Sequence, residues 1–393
     1  MNRERAYGIM GSRGVDAVIA SSTENVYYIS DYWSLGKQLR CGVEAYALLP
    51  VDGAPAVVAP LEEADLVVDS GTWIGDVRFY GALNLDIDIG QPGEASEQTR
   101  RLMELCRAAD PEADGVSALL GALEGRGLTR GVLALDTSGI PPPLFEMLRR
   151  RLPEARIIEG ADLLQEIRQV KTRAEVDRIR RATEITEKSM EDALEIARSG
   201  IMELDLAGMF EYSVAYDGGR MTHSLIGFRE RSAFPHPLPT RLEARRGDAI
   251  RMTLGCTWLH YHSNISRTAV IGRPRPPLAK RGEAVLSAQD AALDSVRPGA
   301  RVSEVYAAAA KELEAAGLKP LSLSFGHGVG VECNEQPWIE KESERELVEG
   351  MVVNIDVPYL ELGWGGVQIE DTVLVTADGF DLLTRTDRAL YLL

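Results

Sequence analysis

The sequence predicts an α+β protein in two parts: a smaller α/β domain, then a larger α+β domain built from two similar halves. Three observations carry this reading. The 393 residues, 45% of them hydrophobic, exceed what one core usually holds. As far as Asp162, short apolar runs alternate with helical patterns. Beyond it, an order of helix, turn, helix and strands occurs twice.

From Val15 the run VDAVIA reads as a buried strand, and Ser21 to Tyr28 as a turn feeding a helix start. Further apolar runs at 45–50 and 55–59 read as strands, and 97–108 and 142–152 as helices. The boundary is placed near residue 162, giving domains 1–162 and 163–393. From Ala161 to Ala197 the apolar residues fall three and four apart, which predicts a long amphipathic helix; Thr172 and Glu175 form a capping box within it. The repeat then pairs a turn at Ser199-Gly200 and a helix running to Gly218-Gly219 with a turn at Pro298-Gly299 and the helix VSEVYAAAAKELEAAG.

Composition excludes several classes. A net charge of −17 with no basic, aromatic-rich cluster argues against nucleic acid. No apolar run approaches the ~20 residues of a membrane span, and MNRERAYGIM has no leader-like apolar stretch, so a cytoplasmic protein is expected. Cys41, Cys106, Cys256 and Cys333 show neither CxxC spacing nor a disulfide framework, as suits a reducing compartment.

All five histidines (His223, His236, His260, His262, His327) fall in the second domain. The segment from Gly247 to Thr268 reads as two strands around a Gly255-Cys256 turn, which puts His260, His262 and Asn264 on one strand face. Gln368, Glu370 and Thr372 share a face of VQIEDTVLV, and Asp356 lies on VVNID. Acids embedded in apolar runs need partners or a function, and clustering with histidines favours a function. In Ala233-Phe234-Pro235-His236-Pro237 the prolines stiffen the backbone around the imidazole.

The run Gly326-His327-Gly328-Val329-Gly330, with Asp356 and Gln368-Ile369-Glu370-Asp371, resembles the pita-bread superfamily of aminopeptidase P, prolidase, methionine aminopeptidase and creatinase. The likeness covers nearly the whole chain, including a creatinase-like N-terminal domain. In the metallopeptidase members this resemblance implies five ligands around two divalent ions. Matched residue by residue, Thr253 stands at the first Asp, Asn264 at the second, His327 at the His, Asp356 at the first Glu and Glu370 at the last. Two anionic ligands are replaced by neutral groups, and Asn334 stands where peptidases often carry a further His. A dinuclear site depends on bridging carboxylates. The resemblance therefore narrows to the metal-free branch of creatinase and the ectoine hydrolases. Gly255-Cys256, Tyr261-His262 and Ser266-Arg267-Thr268 look closest to the latter, because creatinase has a carboxylate where this chain has Ser266.

The function so implied is a hydrolase without metal or cofactor, cleaving a C–N bond of a small amidine, guanidine or cyclic amide. A cationic or zwitterionic substrate would pair with Asp356 and Glu370. His236 is assigned as base for water and His327 as proton donor, the two being exchangeable, with Thr253, His262 and Asn264 as substrate-orienting groups. Trp33 and Arg40 lie in DYWSLGKQLR, a stretch that reaches the neighbouring subunit's cleft in creatinase-like dimers, so substrate contacts there and a homodimer are implied. Two rivals stand beside this. One is a metal-dependent aminopeptidase, prolidase or lyase holding one ion through His260, His262, His327, Asp356 and Glu370. The other is a non-catalytic binding protein.

Overall fold

The computed structural model describes residues 1–85, 95–320 and 322–393, in two compact units, Met1–Ile167 and Arg168–Leu393. The division falls inside the helix Ala161–Gln169. No helix of the described residues is long and apolar enough to cross a membrane.

The first unit contains a six-stranded sheet of β1 (Ala17–Ala20), β2 (Tyr46–Pro50), β3 (Ala56–Pro60), β4 (Asp76–Tyr80), β5 (Val132–Leu135) and β6 (Arg156–Glu159), in the order β4-β3-β2-β1-β5-β6. β1 to β3 run antiparallel in sequence, while β4, β5 and β6 each join in parallel. Every residue of β1, β2 and β3 is buried, as expected of strands covered on both faces. Ile19, Leu48 and Leu133 pack with Val116, Leu119 and Leu123 of the helix Gly115–Glu124. The long helical pattern from Ala161 resolves into two helices, Ala161–Gln169 and Arg173–Glu195. The break comes where Val170 leaves the helix to bridge Met351, and the Thr172–Glu175 capping box starts the second helix.

The second unit contains a larger sheet whose strands include β7 (Arg220–Phe228), β8 (Ala249–Trp258), β9 (Tyr261–His262), β10 (Ile265–Val270), β11 (Ser324–Gly328), β12 (Glu335–Glu340), β13 (Val352–Glu361) and β14 (Gly365–Val375), with main path β12-β11-β13-β14-β10-β8-β7. Each half carries its own helix pair. Arg173–Glu195 and Glu203–Tyr216 pack through Ile185, Met190, Leu206 and Phe210 on Ile226, Met252 and Leu254. Pro276–Asp294 and Val302–Ala315 pack through Val285, Val302 and Leu313 on Val353, Ile355 and Ile369.

This packing decides what the opposite face carries. Side chains alternate along a strand, so burying Ile250, Met252 and Leu254 under helices turns Arg251 and Thr253 the other way. By the same rule Ile265 faces helices while Asn264 and Ser266 do not, and Val353, Ile355, Val367 and Ile369 leave Asn354, Asp356, Gln368 and Glu370 on the far face. Under the helices Arg267 and Asp371 form a buried ion pair at 2.7 Å, with Gln289 donating to Asp371 at 2.9 Å. That explains the acid beside Glu370 as structural.

Candidate active site

The strand register assembles the polar face. Thr253 lies opposite Ser266, Ser266 opposite Glu370, and Glu370 opposite Asp356. One row of directly paired residues thus crosses β8, β10, β14 and β13, and hydrogen bonds follow it. Thr253 and Ser266 share a hydroxyl contact at 2.9 Å, and Ser266 Oγ donates to Glu370 Oε2 at 2.9 Å. Glu370 Oε1 also accepts from Asn264 Nδ2 at 2.7 Å and Asn354 Nδ2 at 3.1 Å. Asp356 accepts both contacts of Gln368 Nε2, at 2.8 and 3.0 Å.

Among the described residues neither acid of the pair forms an ion pair with a lysine or arginine. Glu370 is only 1% exposed, and burial together with the facing Asp356 holds its carboxyl well above the usual carboxylate range. Burial pushes Asp356 up to about 6, against the opposing pull of Gln368 and the Arg251 guanidinium. Such a pair is built to receive a cationic group or to share a proton.

His327 stands beside it, 3.8 Å from Glu370 Oε1 through Nε2. Its Nδ1 contacts the Gly328 carbonyl at 2.9 Å; a carbonyl only accepts, so the proton sits on Nδ1 and Nε2 keeps its lone pair. Burial lowers the imidazole pKa, so the ring is neutral near pH 7 and Nε2 is an acceptor, which suits the base of the two exchangeable roles. His223 Nε2 lies 3.0 Å from Asn264 Oδ1, which joins a histidine not assigned a role in the sequence to Glu370 through one amide. Asn354 and Arg251 are likewise additions, their signal being polar residues at alternate positions in the apolar runs VVNID and AIRMTL.

Other expectations fall differently. Gly255 and Cys256 lie inside β8, and the turn comes later, at Leu259 and His260, whose φ values of 46° and 63° are both left-handed. Thr257 pairs with His262 across this two-residue hairpin, so His260 occupies the turn and leaves the face predicted for it with His262 and Asn264. Burial drives His260 and His262 each to about 4, and His262 Nδ1 is buried without a hydrogen-bond partner among the described residues. His236 is exposed at the tip of the 229–240 segment. That segment is clamped on both sides: Glu203 accepts from Phe228 N, Arg231 Nε and Thr240 N at 2.9 to 3.1 Å, and Arg251 Nε donates to Ser232 O at 2.6 Å. Trp33, whose Nε1 donates to Gln38 at 2.8 Å, and the exposed Arg40 belong to the first unit.

The donors present do not fit a dinuclear metal pair. Thr253 and Asn264 bring no charge to the two positions matched to aspartates, and the amides of Asn264, Asn354 and Gln368 occupy acid lone pairs that would have to face ions. Among the described residues no three His, Cys, Asp or Glu side chains are grouped so as to hold a metal ion.

Comparison with known proteins places the chain. Metallopeptidase family M24 matches residues 177–377, and the creatinase/prolidase N-terminal domain matches residues 3–170. The Xaa-Pro dipeptidase of Pyrococcus furiosus is 35% identical over 58% of this chain and 67% of its own length. That of Pyrococcus horikoshii is 29% identical over 97% of this chain and 96% of its own. The crystal structure of the Pyrococcus horikoshii prolidase superposes with a TM-score of 0.80 at 27% identity, covering 99% of both chains. These relatives overturn two expectations at once. The likeness lies with Xaa-Pro dipeptidases rather than with the metal-free creatinase and ectoine-hydrolase branch, and their named reaction is on peptides, not on amidines, guanidines or cyclic amides, so the comparisons favour the metal-dependent peptidase alternative over the metal-free hydrolase. Neutral Thr253 and Asn264 bear on the charge of this face, not on which C–N bond is cut. With the catalytic-domain match spanning 177–377 and the N-terminal match reaching residue 170, the chain is a member of metallopeptidase family M24 with a creatinase/prolidase N-terminal domain.

Proposed function

We propose that this protein hydrolyses the peptide bond of a short zwitterionic peptide of the Xaa-Pro dipeptide class. The observation that carries the proposal is the Asp356–Glu370 pair, two carboxyls paired across β13 and β14 with no lysine or arginine partner among the described residues, in a chain alike end to end to Xaa-Pro dipeptidases. The α-ammonium of a dipeptide supplies the missing positive charge. It offers three donors to acids whose protein partners are neutral amides and a hydroxyl. With the ammonium held there, the peptide carbonyl lies within reach of neighbouring side chains. His327 Nε2 accepts the proton of the attacking water, and Glu370, 3.8 Å away, stabilises the imidazolium that results. His236, on its clamped loop, passes a proton to the leaving nitrogen. Thr253, His262 and Asn264 orient the substrate, Asn264 by fixing the Glu370 carboxylate. Trp33 and Arg40 are proposed to contact substrate from the neighbouring subunit of a homodimer, which sedimentation of the purified protein and an Arg40→Ala variant test.

The test of the reaction is direct. Purified protein is incubated with a panel of Xaa-Pro and other dipeptides, with and without added manganese, and the free amino acids are followed by mass spectrometry. Release of both amino acids from at least one dipeptide supports the proposal; no cleavage in either condition refutes it.

A further inference from the structure

One strong charge of this face remains unexplained by the reaction. Arg251, on β8 two residues before Thr253, is 2% exposed. Its acceptors are the carbonyls of Ser232 and Phe234 and the Oε1 of Gln368, with no carboxylate among these three. A buried guanidinium is costly, and packing alone would be served by an apolar residue of the same volume. What its geometry does accomplish is joining two separate parts of the site.

We propose that Arg251 is a positioning residue, whose buried fork ties the loop carrying His236 to Gln368 and, through that amide, to Asp356. The proposal rests on the dipeptidase reading for its catalytic consequence, and on hydrogen bonding alone for its structural one. Arginine has only donors, so Gln368 must turn Oε1 toward it; Thr253 Oγ1, at 3.3 Å, points to the same oxygen. The amide nitrogen is thereby forced toward Asp356, where it reaches both carboxylate oxygens. Arg251 thus fixes which way the glutamine faces and so the plane of the Asp356 carboxylate. Its other two contacts hold the backbone at 232 and 234, within four residues of His236. Lysine cannot replace it, because one ammonium on a flexible stem lacks the planar fork that reaches three acceptors in different directions.

The experiment uses the full chain as wild type, Arg251→Met, Arg251→Lys and Gln368→Leu. Hydrogen–deuterium exchange without ligand reads the loop directly, with the helix Arg173–Glu195 as internal control for the fold. Amides in 230–240 should exchange at least tenfold faster in Arg251→Met and measurably faster in Arg251→Lys, with the control helix unchanged. Turnover of alanyl-proline should lose about 10–100-fold in kcat in Arg251→Lys with KM changed less than threefold, as expected when a proton carrier is misplaced by about an ångström. In Gln368→Leu the loop should exchange as in wild type while kcat falls, since only the arm toward Asp356 is cut. Wild-type loop exchange in Arg251→Met overturns the proposal, as it does in Arg251→Lys should the methionine variant not fold. Wild-type protein without dipeptide turnover refutes the dipeptidase reading instead, and leaves the exchange result to decide the role of Arg251.

Discussion

Asp356→Asn should make the protein more stable at neutral pH while costing it its ligand. The Asp356 carboxyl is pushed up to about 6 by burial, against an ordinary 3.8. A difference of about two units, at ~1.36 kcal/mol each, sets a ceiling of about 3 kcal/mol on what ionising this group costs the fold at pH 7.5. Two effects reduce the gain. Asp356 keeps part of its surface open, so solvent relieves some of the penalty. An asparagine would also turn an amide nitrogen toward Gln368 Nε2, losing about 1 kcal/mol of hydrogen bonding. The expected net gain is about 1–2 kcal/mol, or ~2–8 °C in the melting temperature of a unit of this size. Its pH dependence has a definite sign. A carboxyl raised in the folded state binds its proton more tightly there than when unfolded. Its contribution to wild-type stability is therefore complete below about pH 4 and lost as pH rises through about 6. The advantage of the variant should accordingly appear above pH 6 and vanish, or reverse slightly, at pH 4. Scanning calorimetry in chelator across pH 4 to 8 measures this. A variant less stable than wild type at pH 7.5, or a difference constant across that range, would show that Asp356 is not an acid whose ionisation burial opposes.

Glu370→Gln should weaken binding of alanyl-proline about 10–100-fold, the worth of ~1.5–3 kcal/mol for a hydrogen bond to a charged group, and calorimetric titration showing unchanged affinity would make the carboxylate structural. His327→Ala should lower dipeptide turnover ~10²–10⁴-fold with the fold retained by circular dichroism; activity within a few-fold of wild type would remove it from proton transfer. Thr253→Asp combined with Asn264→Asp should bring divalent-ion binding, detectable by elemental analysis, and should destabilise the protein in chelator, because four acids then crowd one face. A double variant that gains no ion and loses no stability would mean that the charge of these two positions does not govern the site.

Much of this site was legible because period-two alternation is a local property. Asp356 and Glu370 stood out as acids inside apolar strands, and Gln368 and Thr372 followed from counting in twos. Long-range register was not legible. That Ser266 faces Glu370 and Asn354 faces His327 depends on pairing strands up to 104 residues apart, and no local pattern specifies it. The hairpin at Leu259-His260 was missed because Gly255-Cys256 looks like the better turn, whereas Gly255 lies within a strand, where a Cβ would come within 2.4 Å of the His223 ring. The helical break at Val170 was invisible for a similar reason: periodicity continues through it, while the bridge to Met351 that ends the first helix is a tertiary contact. The substrate class was misread on physical grounds too. Neutral residues at 253 and 264 define charge at two positions, but the groups that choose between a peptide and an amidine are spread over surfaces that motif spacing does not describe.

The most direct test of the central claim is a crystal structure with a non-cleavable dipeptide analogue bound. The account predicts its ammonium nitrogen at hydrogen-bonding distance, ~2.7–3.2 Å, from both Asp356 and Glu370, with the Asn264 and Gln368 amides still in place and the scissile carbon facing His327 Nε2. An analogue seated with its carboxylate, or no charged group at all, between the two acids would contradict it.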